Sequence, residues 1–347
     1  MAHALARIGT VTTMTAPESY PRPDLRVVAL GGGTGLPAVL RGLRGALFGS
    51  RPRDPDRDPA RLTAIATVAD DGGSSGKLRA MYHLPSPGDV RNCLLALAEG
   101  DPLMSDMFDF RFDRGGEVAG HSLGNLILTA LTELEQDFSK AIARGGRMLA
   151  TRGRVLPSTA ENVALHAELC DGTVIEGESR LADARCPIRR MRLEPARAAA
   201  LPEAREALET ADVIVIGPGS LYSSLIAVLL VGELPEAIAR SRARVVMVMN
   251  LMTEPGETDG HTGVDHLIAI RRHAPAITIH DVLVNTAPIA PEPLARYAAR
   301  GAVPVRADVD LLKALGHSVT ECDLLAAGAE VRHDPAKLTR AILARVV

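Results

Sequence analysis

Five short apolar runs, RVVAL at 26–30, LTAIATV at 62–68, DVIVIG at 212–217, RVVMVMN at 244–250 and ITIHDVLVN at 277–285, each end abruptly in small, polar or acidic residues. Near-continuous β-branched runs of this length are what a parallel sheet covered on both faces requires, because neither face meets water. The segments LPAVLRGLRGAL, VRNCLLALAEG, LGNLILTALTELEQDFSKAIA, SLIAVLLVGELPEAIARS and AKLTRAILARVV repeat apolar residues at three- and four-residue steps, the period of amphipathic helices. Strand and helix alternate, so the expected fold class is α/β: a Rossmann-like, doubly wound, mainly parallel sheet. Between 154 and 193 the pattern changes. VALHAELCDGTVIEGE sets Asp171-Gly172 between two alternating runs and predicts a β-hairpin annex over about 154–193.

Residues 1–24 are polar and broken by Thr, Pro and Ser, and read as a mobile N-terminal extension without the apolar core of a signal peptide or membrane span. Residues 25–347 read as one α/β nucleotide-binding domain, with a charged insertion at 51–62 and an Arg- and Ala-rich linker around 185–205. Lys and Arg number 39 against 42 Asp and Glu, a net charge of −3, and no long stretch is basic, so nucleic acid is not an expected partner. Aromatic residues make up 3% of the chain, which argues against base-stacking platforms. Cys93, Cys170, Cys186 and Cys322 stand singly, without metal or disulfide spacing, and the expected setting is a reduced cytoplasm.

In doubly wound sheets, ligands bind beyond the carboxyl ends of the strands where the strand order reverses, so the residues just after each run are the candidates. GGGTGLP follows the first strand and opens a helix; the N–H groups of Gly32, Gly33, Thr34 and Gly35 can face an anion there. It is not a Walker A loop, since no Gly-Lys-Ser/Thr follows. DDGGSSGK places Asp70 and Asp71 at the end of the second strand, to hold a ribose hydroxyl or Mg²⁺ through water, and Gly73, Ser74 and Ser75 in an anion-binding nest with Lys77 and Arg79 as counter-charge. Asp89 is expected as a helix N-cap, with Arg91 and Asn92 available to a polar ligand. GHSLGN has the glycine spacing of a nucleophile elbow, but the polar RFDRGGEVA before it is no buried strand. The preferred reading is a helix N-terminus where His121, Ser122 and Asn125 present donors. Gly217, Gly219 and Ser220, then Asn250 with Thr253, then Asn285, close the later strands. His261, His266 and His280 lack metal spacing.

In order and spacing, GGGTGLPAVLRGL, ATVADDGGSSGKLR, PSPGDVRNCLLALA, AGHSLGNLILTAL, IGPGSLYSSLIAVLLV and MNLMTEPGETDG resemble the gluconeogenesis factor (YvcK-like) family, relatives of the 2-phospho-L-lactate transferase (CofD) proteins, from about residue 25 onward. The resemblance implies a cytoplasmic protein that binds a UDP-sugar such as UDP-N-acetylglucosamine and supports cell shape and wall metabolism during growth on gluconeogenic carbon. It also implies that Tyr297, Arg332 and His333, in YAARGAVPV and AEVRHDPAKL, reach the ligand from the far side of the cleft. No activated nucleophile is evident, which favours a regulatory binding protein. The alternative is a Mg²⁺-dependent transferase acting on a nucleotide-diphosphate-linked substrate, with Asp70 and Asp71 on the metal; a plain NAD-binding protein is a third reading. A homodimer is expected from the surplus apolar surface of SLIAVLLVGEL, alongside regulatory protein partners that the sequence does not name.

Overall fold

Seven strands form one parallel sheet in the computed structural model, which describes residues 22–49, 58–184 and 186–346. In chain order the strands are β1 (Val27–Gly31), β2 (Leu62–Ala66), β3 (Arg154–Pro157), β4 (Ala164–Leu169), β5 (Val174–Glu176), β6 (Ile188–Glu194), β7 (Val213–Ile216), β8 (Arg244–Val248), β9 (Asp281–Asn285) and β10 (Ser318–Cys322). The large sheet runs β10-β9-β8-β7-β1-β2-β3, so the order reverses between β1 and β7. All residues of β1, β2 and β7 are buried, as the uninterrupted apolar runs require. Each buried Val, Leu or Ile contributes about 1.5–3 kcal/mol through the apolar surface it removes from water. Among polar residues on these strands, Asp281 is wholly buried and is held by the forked guanidinium of Arg244.

Helices cover both faces. The first six are α1 (Gly35–Phe48), α2 (Gly73–Tyr82), α3 (Gly88–Leu97), α4 (Pro102–Asp109), α5 (Leu123–Glu135) and α6 (Phe138–Met148). The long periodic segment after GHSLGN is two helices rather than one. Gln136 takes a left-handed conformation (φ 52°), and Asp137 then caps α6 by accepting the Lys140 N–H at 3.0 Å.

The annex starts later than the sequence suggests. Arg154–Pro157 pairs with β2 as the edge strand of the main sheet, anchored by an Arg154 Nε donation to Thr63 Oγ1 at 2.8 Å. The annex is a three-stranded antiparallel sheet, β5-β4-β6, with Asp171-Gly172 in its turn as expected. Its third strand comes from the Arg- and Ala-rich run read as a linker, where Ile188, Met191 and Leu193 turn inward and the arginines outward. Most of the N-terminal extension and residues 51–57 of the expected insertion lie outside the described residues. Within that insertion, Arg61 is buried and Leu62 already belongs to β2.

SLIAVLLVGEL is also not a free amphipathic helix. Leu221–Ile226 forms a wide turn of π-helix, Ala227–Leu229 a short α-helix, and every residue from Leu221 to Leu229 is buried within the chain. The apolar surplus that suggested a homodimer is therefore consumed internally. No helix of the described residues is long and apolar enough to cross a membrane.

Candidate functional site

The turn after β1 sits at the reversal of strand order. Gly33 has φ +61°, a conformation that side-chain-bearing residues rarely adopt, and it lets the chain double back into α1. A Cβ on Gly35 would drive into the backbone carbonyl of Pro218, so the turns after β1 and β7 touch main chain to main chain. Asn250, just past β8, braces the second turn: its Nδ2 donates to the Gly219 carbonyl at 2.8 Å and its Oδ1 accepts the Gly219 N–H at 3.2 Å.

Asp89 reaches this turn from α3. It is not the N-cap, a position held by Pro87, but lies inside the first helical turn, where its Oδ1 accepts the Gly33 N–H at 2.9 Å. One of the donors expected to face a ligand anion is thus already taken by a carboxylate of the chain. Burial, reinforced by the neighbouring Asp70 charge, pushes the Asp89 carboxyl up to about 7, although the Gly33 N–H favours its charged form.

Beside it, beyond β2, lies a buried polar cluster. Ser74 Oγ meets His121 Nδ1 at 3.1 Å and accepts the Ser122 N–H and the Asn125 side chain, each at 3.2 Å. Ser75 Oγ accepts from Asn125 at 3.4 Å, and Asn125 Oδ1, on a side chain 2% exposed, has no partner among the described residues. Burial, with Lys77 and Arg111 nearby, lowers the His121 pKa, so the ring stays neutral. Ser122 is fully buried and its Oγ is hydrogen-bonded by the Arg91 guanidinium, whose other arm donates to Asn92 Oδ1 at 2.7 Å. A hydroxyl enclosed and held by a cation in this way is no exposed nucleophile, and the elbow reading falls with it. Arg91 is likewise spent on the protein. Lys77 is exposed at the rim, whereas Arg79 turns away to Asn162 Oδ1 at 2.6 Å.

Asp70 and Asp71 do not converge. Asp70 Oδ1 accepts the Gly72 N–H at 2.8 Å while Oδ2 points toward Gly88; Asp71 Oδ1 accepts the annex N–H of Ser179, also at 2.8 Å. Asp71 therefore docks the annex instead of a ribose. Among the described residues no three His, Cys, Asp or Glu side chains are grouped to hold a metal ion. The pair fits Mg²⁺ only through Asp70, with water and ligand phosphates as the remaining donors, the usual manner for this ion.

The docked annex brings in a residue that the sequence reading missed. Glu178 opens the 3₁₀ turn after β5, and burial together with the charges of Asp70, Asp89, Glu257 and Asp71 pushes its carboxyl up to about 9. Glu257 was also missed. Its Oε2 accepts the N–H groups of Tyr222 and Ser223, each at 3.1 Å, and its Oε1 accepts Ser223 Oγ at 2.7 Å; burial and Glu254 raise it to about 7. Glu254 in turn accepts Ser220 Oγ at 2.9 Å. The sequence signals were the Gly-Glu steps in VIEGES and in TEPGET, the second inside the MNLMTEPGETDG motif that carries the family resemblance.

The open space lies on the other flank of the glycine turn. A groove of about 360 Å³ is lined by Thr34, Gly35, Gly219, Ser220, Asn250 and Tyr297, and also by Thr253, Arg300 and His333. A second, of about 280 Å³, continues past Thr34 to Arg41 and Arg332, and a third, of about 270 Å³, contains Asn250 and Asn285. Burial and the charges of Arg332 and Arg44 lower the Arg41 pKa, so this end of the groove favours an anion. Burial pushes His333 down to about 4, leaving a neutral imidazole whose Nε2 has no partner among the described residues. The candidates thus divide: the loops after β1, β7, β8 and β9 line concave space, the Asp70 to Asn125 set forms a packed wall, and Asp89 joins the two.

The sequence model for 2-phospho-L-lactate transferase CofD matches residues 27–325. The chain belongs to the CofD family. Within it, a gluconeogenesis factor of Halalkalibacterium halodurans is 45% identical over 318 residues, 91% of this chain and 95% of that one. The gluconeogenesis factor of Bacillus subtilis is 41% identical over 314 residues, covering 90% and 95%. A crystal structure of a upf0052 family member from Bacillus halodurans superposes with TM-score 0.85 at 44% identity, covering 92% of this chain and 99% of its own. The CofD-family match takes in the glycine turn, the Asp70 wall and the annex, and ends just short of Arg332 and His333.

Proposed function

We propose that this CofD-family chain is a cytoplasmic UDP-sugar-binding regulatory protein, a gluconeogenesis factor whose ligand state is passed to partners that govern cell-wall metabolism and cell shape on gluconeogenic carbon. The observation that carries this reading is the groove running from Asn250, Tyr297 and Arg300 past the β1 glycine turn to Arg41 and Arg332. Its end at Asn250, Thr253 and Tyr297 offers polar groups to a uridine, its Arg41–Arg332 end charge to a diphosphate, and the sugar would face the wall of Asp70, His121 and Glu178. No hydroxyl or thiol of that wall is both exposed and paired with a base, which fits binding better than covalent turnover.

A second reading, a Mg²⁺-dependent transferase of the 2-phospho-L-lactate type, is favoured by one observation. Asp70, Asp89 and Glu178 repel one another, and a cation between them and a ligand diphosphate would relieve that repulsion. Magnesium there would neutralise phosphate charge.

Thermal shift with UDP-N-acetylglucosamine, UDP-glucose, UDP, GDP and NAD, each with and without Mg²⁺, separates these readings. A ligand at about 100 times its Kd adds roughly 2.7 kcal/mol, which raises Tm measurably. Selective stabilisation by UDP-sugars without product formation is the expected result. Turnover of a nucleotide-diphosphate donor with Mg²⁺ would favour the transferase, and stabilisation by NAD alone would overturn both readings.

A further inference from the structure

One side chain on the grooves carries the charge opposite to that of the arginines at their far end. Among the residues that line the groove at Asn250 and the one that continues to Arg41 and Arg332, Glu254 is the single acid. Its backbone is fixed by the TEPGET turn: the Glu254 carbonyl accepts the N–H groups of Glu257 at 3.1 Å and Thr258 at 2.8 Å, and its own N–H donates to Thr258 Oγ1 at 2.8 Å. Its side chain is fixed by the turn after β7, where Ser220 Oγ donates to Glu254 Oε1 at 2.9 Å. Oε2 has no partner among the described residues and is not sealed from solvent, so it opens toward the groove. Arg300, exposed on the same groove, forms no ion pair with it.

A fixed carboxylate restricts what can lie beside it. It accepts and does not donate, so a ligand must present O–H or N–H groups there, and its charge repels phosphate. Three other polar side chains on this stretch each already bond within the chain: Asn250 with Gly219, Thr253 Oγ1 with the Val303 N–H at 2.9 Å, and Tyr297 with Glu330 at 3.2 Å. Position then decides which donors meet Glu254. Ser220, which holds it, directly follows Gly219, and Gly219 lies against Gly35, a residue common to both grooves. A nucleotide with its phosphates at Arg41 and Arg332 therefore brings its ribose, the unit joined to the phosphate, past Glu254, and its base one unit further on. A cis-diol offers two adjacent O–H donors, and one carboxylate can take both; an acid beyond a strand end holds a ribose hydroxyl in this way in dinucleotide folds. Uracil offers a single N–H set between two carbonyl oxygens, which a carboxylate repels.

We propose that Glu254 reads the ribose of the bound nucleotide, its carboxylate accepting the 2′- and 3′-hydroxyls, and so selects ribonucleotides over deoxyribonucleotides. The inference rests on the nucleotide-sugar reading above and gives the ligand a direction in the groove, with the nucleoside at Ser220 and Glu254 and the phosphates at the arginines. Because Glu254 is held by its own turn and by Ser220 before any ligand arrives, little ordering remains to offset the contact.

The test is calorimetric titration of the full chain with UDP, 2′-deoxy-UDP, GDP and inorganic pyrophosphate, in wild type, Glu254→Gln and Glu254→Ala. Wild type should bind UDP at least about tenfold more tightly than 2′-deoxy-UDP, the loss of one charge-assisted hydrogen bond. Glu254→Ala should bring that ratio within about twofold by weakening the ribonucleotides alone, and Glu254→Gln, which keeps an oxygen for Ser220 but loses the charge, should fall between. Pyrophosphate affinity should be unchanged in both variants, which also shows that they fold. Equal binding of UDP and 2′-deoxy-UDP by wild type, or a preference that survives in Glu254→Ala, would overturn the assignment. Equal losses for every probe, pyrophosphate included, would overturn it too, because they mark a residue that only braces the Ser220 turn. GDP weakened far more than UDP in Glu254→Ala would give the carboxylate to a base with paired N–H donors and overturn the ribose contact. A wild type that binds none of the nucleotides would instead overturn the function proposed above, and this inference with it.

Discussion

Replacing Asp89 by Asn tests whether the glycine turn is held by a carboxylate under electrostatic strain. Asn keeps an oxygen to accept the Gly33 N–H and removes the charge that burial and Asp70 oppose. The folded carboxyl titrates at about 7 against an ordinary value of 3.8. Between those values the folded wild type retains a proton that the unfolded chain has lost. Wild-type stability from this group is complete below the ordinary value, falls by about 1.4 kcal/mol per pH unit as pH rises, and levels off above 7. Asp89→Asn lacks this term. Its stability relative to wild type should rise by roughly 2–3 kcal/mol between pH 5 and 7. Urea unfolding midpoints at half-unit pH steps measure the difference, and the offset at pH 5 absorbs any change in packing, so only the slope matters. Glu257 also loses stability as pH rises, but it does so in both proteins and cancels, whereas Glu178, held up in part by the Asp89 charge, adds to the difference only as Asp89 ionises, toward and above pH 7. A pH-independent difference, or one that falls with pH, would refute the assignment of Asp89 as a buried, proton-retaining brace.

Gly35→Ala sets a Cβ against the Pro218 carbonyl, backbone that cannot swing aside, and should cost about 1–3 kcal/mol or more in thermal or urea unfolding while also closing the groove to UDP-sugars in calorimetry. Ser122→Ala removes a partner of the buried Arg91 guanidinium and should destabilise by about 1–3 kcal/mol; a fully stable variant would mean that Arg91 is satisfied elsewhere. Arg332→Ala, at an exposed position, should leave Tm within about a degree but weaken UDP-sugar binding by roughly tenfold, the loss of one charge-assisted phosphate contact; unchanged affinity would place the diphosphate elsewhere. Thr262→Ala breaks the capping box of the Gly263–His273 helix, where Thr262 and Asp265 exchange hydrogen bonds, and should cost about 1 kcal/mol with no effect on ligand affinity.

The parallel core and the glycine turn were legible because their determinants are local. A β-branched run can be satisfied only in a buried strand, and a strand that stops at Gly31-Gly32-Gly33 can turn only one way into a helix. The hairpin at Asp171-Gly172 was legible for the same reason. Arg154–Pro157 was assigned to the annex, and Ile188–Glu194 was read both as the annex's end and as linker, because their partners are set by register with Thr63 to Ala66 and with Ala164 to Leu169, which no local pattern records.

The site divides along the same line. Residue types suited to phosphate and sugar were readable at the strand ends, where Thr34 and Asn250 line the grooves, while Tyr297 and Arg332, which the family resemblance implied, line them from the C-terminal segments. Which of the polar residues remain available to a ligand was decided by tertiary structure. Asp89 is taken by Gly33, 56 positions away; Asp71 by Ser179, 108 away; Ser122 by Arg91. Glu178 acquires its surroundings only because the annex folds back onto the wall. The sequence by itself determined the five core strands, their turns and the chemistry at their ends, since backbone conformation depends on neighbours in the chain. The pairing of charges and donors depends on distance in space, and only the packed structure decided it.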